Sequence, residues 1–133
     1  MDTKLIDDVF LEELHRQAKD NERKRQYFDL RTTQEDTSQR MLNVLEQGTS
    51  VPIHRHENTT ETVICIRGKL DEVFYEDEKG SKEIARYTLC PVEGSYGIQI
   101  PMGVWHTVEV FQPSVIFEAK DGAYSASQVK SDK

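Results

Sequence analysis

The sequence predicts an all-β barrel entered through one N-terminal α-helix, and three observations carry that reading. Apolar residues recur at helical spacing only near the start of the chain. From about residue 39 onward, short runs rich in β-branched and aromatic residues alternate with Gly, Pro, Asn and Asp punctuation. The 133 residues hold no internal repeat and no long linker, so one domain with one core is expected.

The helix is read from Leu5, Ile6, Val9, Phe10, Leu14 and Ala18, an apolar stripe with charged residues between its members. The charge run Asn21-Glu-Arg-Lys-Arg25 that follows reads as a solvated helix end, where cations suit the C-terminal dipole. Strands are expected near Arg40 to Leu45, Thr62 to Arg67, Lys69 to Tyr75, Glu83 to Leu89, Tyr96 to Ile100, His106 to Phe111 and Val115 to Lys120. Residues 1–35 are assigned to the helix and lead-in, 36–124 to the barrel, and 125–133 to a polar, flexible tail.

Charge narrows the partners. With 17 Lys and Arg against 24 Asp and Glu, the net charge is -7, a field that repels phosphate backbones and anionic lipid surfaces. Neither nucleic acid nor membrane is expected as a partner. The first ten residues lack the basic start and apolar run of a signal peptide, and Cys65 and Cys90 lie in strand-like segments without paired Cys-x-x-Cys spacing. Both features lead us to expect a cytoplasmic protein with reduced core thiols.

Three of the four histidines form two compact patterns. His54 and His56 are two apart, so on an extended segment both imidazoles project to one side. Glu57-Asn58-Thr59-Thr60 is short enough to turn the chain and return the Glu61 carboxylate to them. Pro101-Met102-Gly103-Val104-Trp105-His106 then places a third imidazole after a tight turn at the start of another strand. Three imidazoles and one carboxylate, without a thiolate, suit one divalent first-row ion such as iron, zinc, manganese, nickel or copper, and not a closed cysteine-rich structural zinc site.

Gly48-x5-His54-x-His56-x4-Glu61-x6-Gly68 resembles the first cupin motif at each of its spacings. Average composition makes such a five-residue pattern a coincidence in only on the order of one in 10⁵ chains of this length. The second cupin motif is met in part: Pro101-x-Gly103-x2-His106 is present, while Ser95 stands at the expected Gly and Val110 at the expected Asn. The layout is also similar to the WbuC-type cupin fold metalloproteins, with a leading helix, Gln39-Arg40, His-Arg-His and a closing Phe117-Glu-Ala-Lys-Asp-Gly-Ala-Tyr124. The resemblance implies a double-stranded β-helix, or jelly-roll, barrel with one metal ion on His54, His56, Glu61 and His106. It also implies a homodimer and an association with bacterial polysaccharide metabolism.

Other residues divide between site and scaffold. His15, alone on the helix beside Arg16, reads as an ordinary helix residue, and Gly48, Gly68 and Gly103 as turn formers. Cys65 shares strand parity with Glu61 but lies roughly 13 Å farther along, so it lines the barrel without ligating, and Trp105 points away from His106. Val115, Phe117 and Ala119 alternate with Ile116, Glu118 and Lys120. If the apolar face fills the barrel, Glu118 and Lys120 are solvated, which is the preferred register. In the opposite register they are catalytic candidates able to move a proton. Arg40, Arg67, Tyr96 and Tyr124 are candidates for holding an anionic or sugar-like ligand. The functional expectation is a metal-dependent enzyme, of isomerase or oxygenase type, acting on a small polar molecule; the competing reading is a non-catalytic, metal-dependent sugar-binding module.

Overall fold

The computed structural model describes residues 2–122 together with the backbone of residues 128–129. Helix α1 spans Asp8–Asp20 and starts later than the apolar stripe suggests, because Asp7 is extended and its carboxylate caps the Phe10 amide at 3.1 Å. Leu5 and Ile6 therefore precede the helix and are exposed, Val9 lies on its exposed face, and Leu11, Leu14 and Ala18 are buried. These last three pack on Leu42, Val44 and Val115, and Phe10 meets Phe28 edge-on at 5.1 Å. His15 is not an ordinary surface residue of this helix. It is buried, and its Nδ1 lies 2.5 Å from Oε2 of Glu46, also buried, which ties α1 to the end of the second strand.

Among the described residues eight strands follow: β1 (Arg25–Asp29), β2 (Ser38–Leu45), β3 (His54–Arg55), β4 (Glu61–Tyr75), β5 (Glu83–Leu89), β6 (Gly97–Ile100), β7 (Trp105–Asp121) and β8 (Gln128–Val129). The pairings are antiparallel throughout. This is the cupin jelly-roll expected from the sequence, with one helix in front. β1 replaces the solvated helix end expected through Arg25, and pairs at the sheet edge with β2 from Arg25↔Leu45 to Asp29↔Met41. Of the tail from residue 125 on, only Gln128–Val129 fall within the described residues, and they pair with β3.

The strands expected on either side of Gly68, and on either side of Pro113, are each one long strand. β4 and β7 pair from Glu61↔Lys120 to Tyr75↔Trp105, with register shifts between Cys65 and Leu70. Each therefore serves both halves of the barrel, since β4 also pairs with β6 near its start and β5 near its end, while β7 pairs with β3 and then β2. The turn signals at Gly68 and Pro113 mark bulges within strands, not strand ends. Gly68 holds φ +100°, and a Cβ there would come within 2.5 Å of the Pro113 carbonyl oxygen. The Ser114 hydroxyl accepts the Lys69 amide at 3.0 Å and donates to the Gln112 carbonyl at 2.8 Å, so the bulged backbone groups remain satisfied.

Across the bulge the interior parity of β4 switches. Glu61, Val63 and Cys65 face inward before it, and Leu70, Glu72 and Phe74 after it. Val63, Leu70, Leu89, Ile100, Ile116 and Leu45 fill the barrel centre, where each fully buried aliphatic side chain contributes about 2–3 kcal/mol. No helix among the described residues is long and apolar enough to cross a membrane.

The bulge supplies a stability test. Gly68→Ala should cost at least about 3 kcal/mol in urea denaturation, because it adds overpacking to left-handed strain. Gly94→Ala, at φ +84° with nothing within 4 Å of the added Cβ, should cost only about 1–2 kcal/mol. Equal losses would show that the β4–β7 contact at Gly68 is not tight.

Candidate metal centre

β3 and β7 bring two imidazoles together by direct pairing, since His54 and His106 are Cα partners across the ladder. His56, just beyond β3, is held by the turn after β6, where the Gly103 amide donates to the His56 carbonyl at 2.8 Å and Gly103 itself takes φ +81°. The ring centroids lie 4.3 Å (His54–His106), 5.3 Å (His54–His56) and 5.7 Å (His56–His106) apart. One nitrogen from each of the three lies within 4.8 Å of the others. Phe74, the β4 partner of His106, meets that ring edge-on with centroids 6.3 Å apart.

Backbone carbonyls orient two of the rings. His54 Nδ1 donates to the Pro52 carbonyl at 2.9 Å, and His106 Nδ1 donates to the Val104 carbonyl at 2.9 Å. A carbonyl oxygen only accepts, so in the neutral rings the proton sits on Nδ1 and the lone pair is left on Nε2. Glu61 enters from the start of β4. Its Oε1 lies 3.6 Å from His56 Nε2 and 3.8 Å from His106 Nε2, and its Oε2 lies 3.7 Å from Lys120 Nζ. Two donors each about 2.1 Å from a shared ion are at most about 4.2 Å apart, so these separations fit joint ligation. The donor set, nitrogen lone pairs fixed by carbonyls and one carboxylate, fits a divalent first-row ion.

The electrostatics follow from enclosure. Burial is the main cause that lowers His54 to about 4, with the nearby His106 adding to it. For Glu61 burial works upward, but the His106 and His56 imidazoles and the Lys120 ammonium outweigh it and hold the carboxyl below the usual range. The centre therefore presents an anionic carboxylate beside a neutral His54 at neutral pH.

Glu118 and Lys120 do not take the solvated register. The apolar face of this part of β7, Val115 and Phe117, packs under α1 outside the barrel, so the alternate residues face inward. Val63↔Glu118 and Glu61↔Lys120 are direct partners across β4 and β7. Burial first, and the Glu61 charge second, push the Glu118 carboxyl up to about 8. Glu72 joins the interior after the bulge; it is 2% exposed, its Oε1 has no hydrogen-bond partner among the described residues, and burial raises its carboxyl well above the usual range. No motif marked Glu72, because its inward orientation depends on the parity switch at the bulge.

The weaker candidates disperse. Arg40 is engaged by Asp36 at 3.2 Å and by the Ser38 and Leu30 carbonyls. Arg67 pairs with Asp8 and Glu12 of α1, away from the histidines. Tyr96 is exposed, and Tyr124 lies outside the described residues. Cys65 is buried in the barrel cluster, and desolvation raises its thiol to about 11, a protonated and unreactive state. Trp105 carries the Arg55 guanidinium over its ring at 4.6 Å.

Residues 6–87 match the family model described as "Domain of unknown function (DUF6016)". The chain belongs to that family. No curated protein matches the chain. Among solved structures it is similar to the capsular polysaccharide assembling protein CapF from Staphylococcus aureus, with a TM-score of 0.64 and 19% identity over 79% of this chain and 30% of CapF. It is similar to a cupin 2 domain-containing protein from Halorhodospira halophila, with a TM-score of 0.62 and 17% identity over 81% of this chain and 71% of that one. Oxalate oxidase in complex with the substrate analogue glycolate gives a TM-score of 0.62 and 13% identity over 82% of this chain and 56% of that one. These neighbours are cupin-fold proteins, so this DUF6016 chain has the cupin fold. It spans less than a third of CapF's length.

Linkage makes the His54 environment measurable in metal-stripped protein. His54 is depressed to about 4 when folded, against 6.5 in the unfolded chain, so between those pH values the unfolded state binds more protons. Stability is complete above pH 6.5 and is lost as pH falls toward 4, by on the order of 3 kcal/mol. His54→Gln should remove that component from urea-derived stability against pH. Parallel profiles for the two proteins would show that His54 is not buried in its neutral form.

Proposed function

We propose that this DUF6016 chain is a metal-dependent cupin enzyme that acts on a small, polar, hydroxyl-bearing molecule, with His54, His56, Glu61 and His106 holding one divalent ion. The observation that carries the reading is the polar interior beside the three histidines. Lys120 reaches Glu61, Glu118 faces the same space, and Glu72 offers a buried oxygen with no hydrogen-bond partner among the described residues. A barrel built only for stability would fill these positions with aliphatic side chains, because burying such groups costs free energy. An ion so held would polarise a substrate oxygen or acidify a bound water. Around it, Lys120 and Glu118 would hold or move a proton, and Glu72 would accept a substrate hydroxyl. Iron, zinc, manganese and nickel are all compatible with the donors, and a redox ion would extend the chemistry from isomerisation to oxygenation.

A carbohydrate-derived substrate is the class we favour. The WbuC-type layout of the sequence supports it, as does the fold shared with a capsular polysaccharide assembling protein. We assign the barrel to residues 36–124 and infer a homodimer, for which the edge strand β1 is an available pairing surface.

Metal content measured by mass spectrometry should approach one ion per chain in wild type and fall at least tenfold in His54→Ala/His56→Ala, as an order-of-magnitude expectation for losing two of four ligands. Equal content would remove the proposed site. A second measurement separates an open centre from a closed one: the visible spectrum of cobalt(II)-loaded protein should shift on titration with glycerol, an uncharged hydroxyl-bearing probe. An unchanged spectrum would point to an ion that serves binding or stability alone.

A further inference from the structure

A second polar space lies along β1 and the facing residues of β2. This cavity has a volume of about 550 Å³, within the range usual for small-molecule sites. Four arginines, Arg23, Arg25, Arg31 and Arg40, line it with a single acid, Asp29, in a chain whose net charge is -7. Two of the four are neutralised locally, Arg31 by a bidentate contact to Asp29 and Arg40 by Asp36. Arg23 and Arg25 have no carboxylate within ion-pair distance among the described residues. Arg25 is instead anchored by donating to the Ser50 carbonyl at 2.8 Å.

Like charges held together in this way are costly unless something offsets them. Desolvation first, and the Arg23 charge second, lower the Arg25 guanidinium from its ordinary value. The cavity is also tied to the metal centre through one side chain. Asn43 lines the cavity and acts on the Glu118 carboxyl, which faces the barrel interior opposite Val63.

We propose that Arg23 and Arg25 bind an oxyanion, a carboxylate or a phosphate, carried by the same small molecule whose hydroxyl-bearing part reaches the metal centre. The inference rests on the functional reading above and narrows its substrate class to an anionic polar molecule. Guanidinium forks suit both oxyanions, because two parallel N–H donors match two oxygens of either group. Arg40, held by Asp36 and two carbonyls, takes no direct share.

The test uses inorganic phosphate and acetate as separate probes at constant ionic strength, with binding measured by calorimetry. Wild type should bind at least one of them, and Arg23→Gln/Arg25→Gln should bind it at least tenfold more weakly, about 1.4 kcal/mol. Tighter binding of phosphate would indicate a phosphorylated ligand, and tighter binding of acetate a carboxylated one. His54→Ala/His56→Ala should retain anion binding, and the arginine variant should retain its metal, so failure at one site is distinguishable from failure at the other. Should the arginine variant not fold, arginine side-chain Nε–H resonances of wild type provide the same answer. Those of Arg23 and Arg25 should move on titration with the probe, while that of Arg86, fixed by Glu83, Glu109 and Asp71, should not. Absence of binding to both probes in wild type, equal affinity in the variant, or no selective shift at Arg23 and Arg25 would each overturn the proposal.

Discussion

The pairing of β4 with β7 is the constraint on which the rest of the structure depends. It runs the length of both strands and is interrupted by the bulge that Gly68 and Ser114 build. Because side chains alternate faces, register decides chemistry here. The observed register sets Glu61 opposite Lys120 at one end and Phe74 opposite His106 at the other. The bulge then reverses the parity of β4, which sends Glu72 inward and Asp71 outward to Arg86. A strand of this length without a bulge would keep one parity throughout and place a different set of charges inside.

The features legible in the sequence were the local ones. His54, His56 and Glu61 come from a single turn-linked segment, so their spacing alone brings them to one side. His106 follows a Pro/Gly turn that aligns it across from His54. The strand periods were also readable, because β-branched and aromatic residues cluster in them. What remained hidden depends on packing between distant elements. Val115 and Phe117 are apolar because α1 covers them, so the wall of the barrel is apolar on its outer face here and polar on its inner one. Alternation reveals two faces without revealing which is inside, so the sequence alone favours solvent for Glu118 and Lys120 where the packing of α1 turns them inward. β1 was missed for a related reason. Its edge position and charged residues resemble a helix end until Leu45 and Met41 pair with it.

His15 shows the same limit from the other side. A histidine beside Arg16 on an amphipathic helix carries no sign of burial, yet Glu46, thirty-one residues away in sequence, closes over it at 2.5 Å. The contact leaves neither group without a partner, which is what makes their burial tolerable. It also clamps α1 against the strand that supplies Asn43, so the helix that hides the apolar face of β7 and the interior polar groups belong to one packed unit.

The interior charges then set what the barrel can receive. Glu61 is held ionised by imidazoles and Lys120, whereas Glu118 and Glu72 are pushed toward their neutral forms by burial and by the Glu61 charge. Carboxyls kept apart in this manner can donate as well as accept hydrogen bonds, and a protonated carboxyl next to an anionic one is suited to molecules bearing hydroxyls. Such an interior disfavours a bare anion near Glu61. The guanidiniums of Arg23 and Arg25, which have no carboxylate partner among the described residues, line the cavity with Asn43 instead. Separation of the two regions follows from electrostatics: Arg23 or Arg25 placed beside Glu61 would pair with it and withdraw the carboxylate from the histidines. A molecule with hydroxyls at one end and an oxyanion at the other satisfies both regions at once, and reversing it would set its anion against the buried carboxyls.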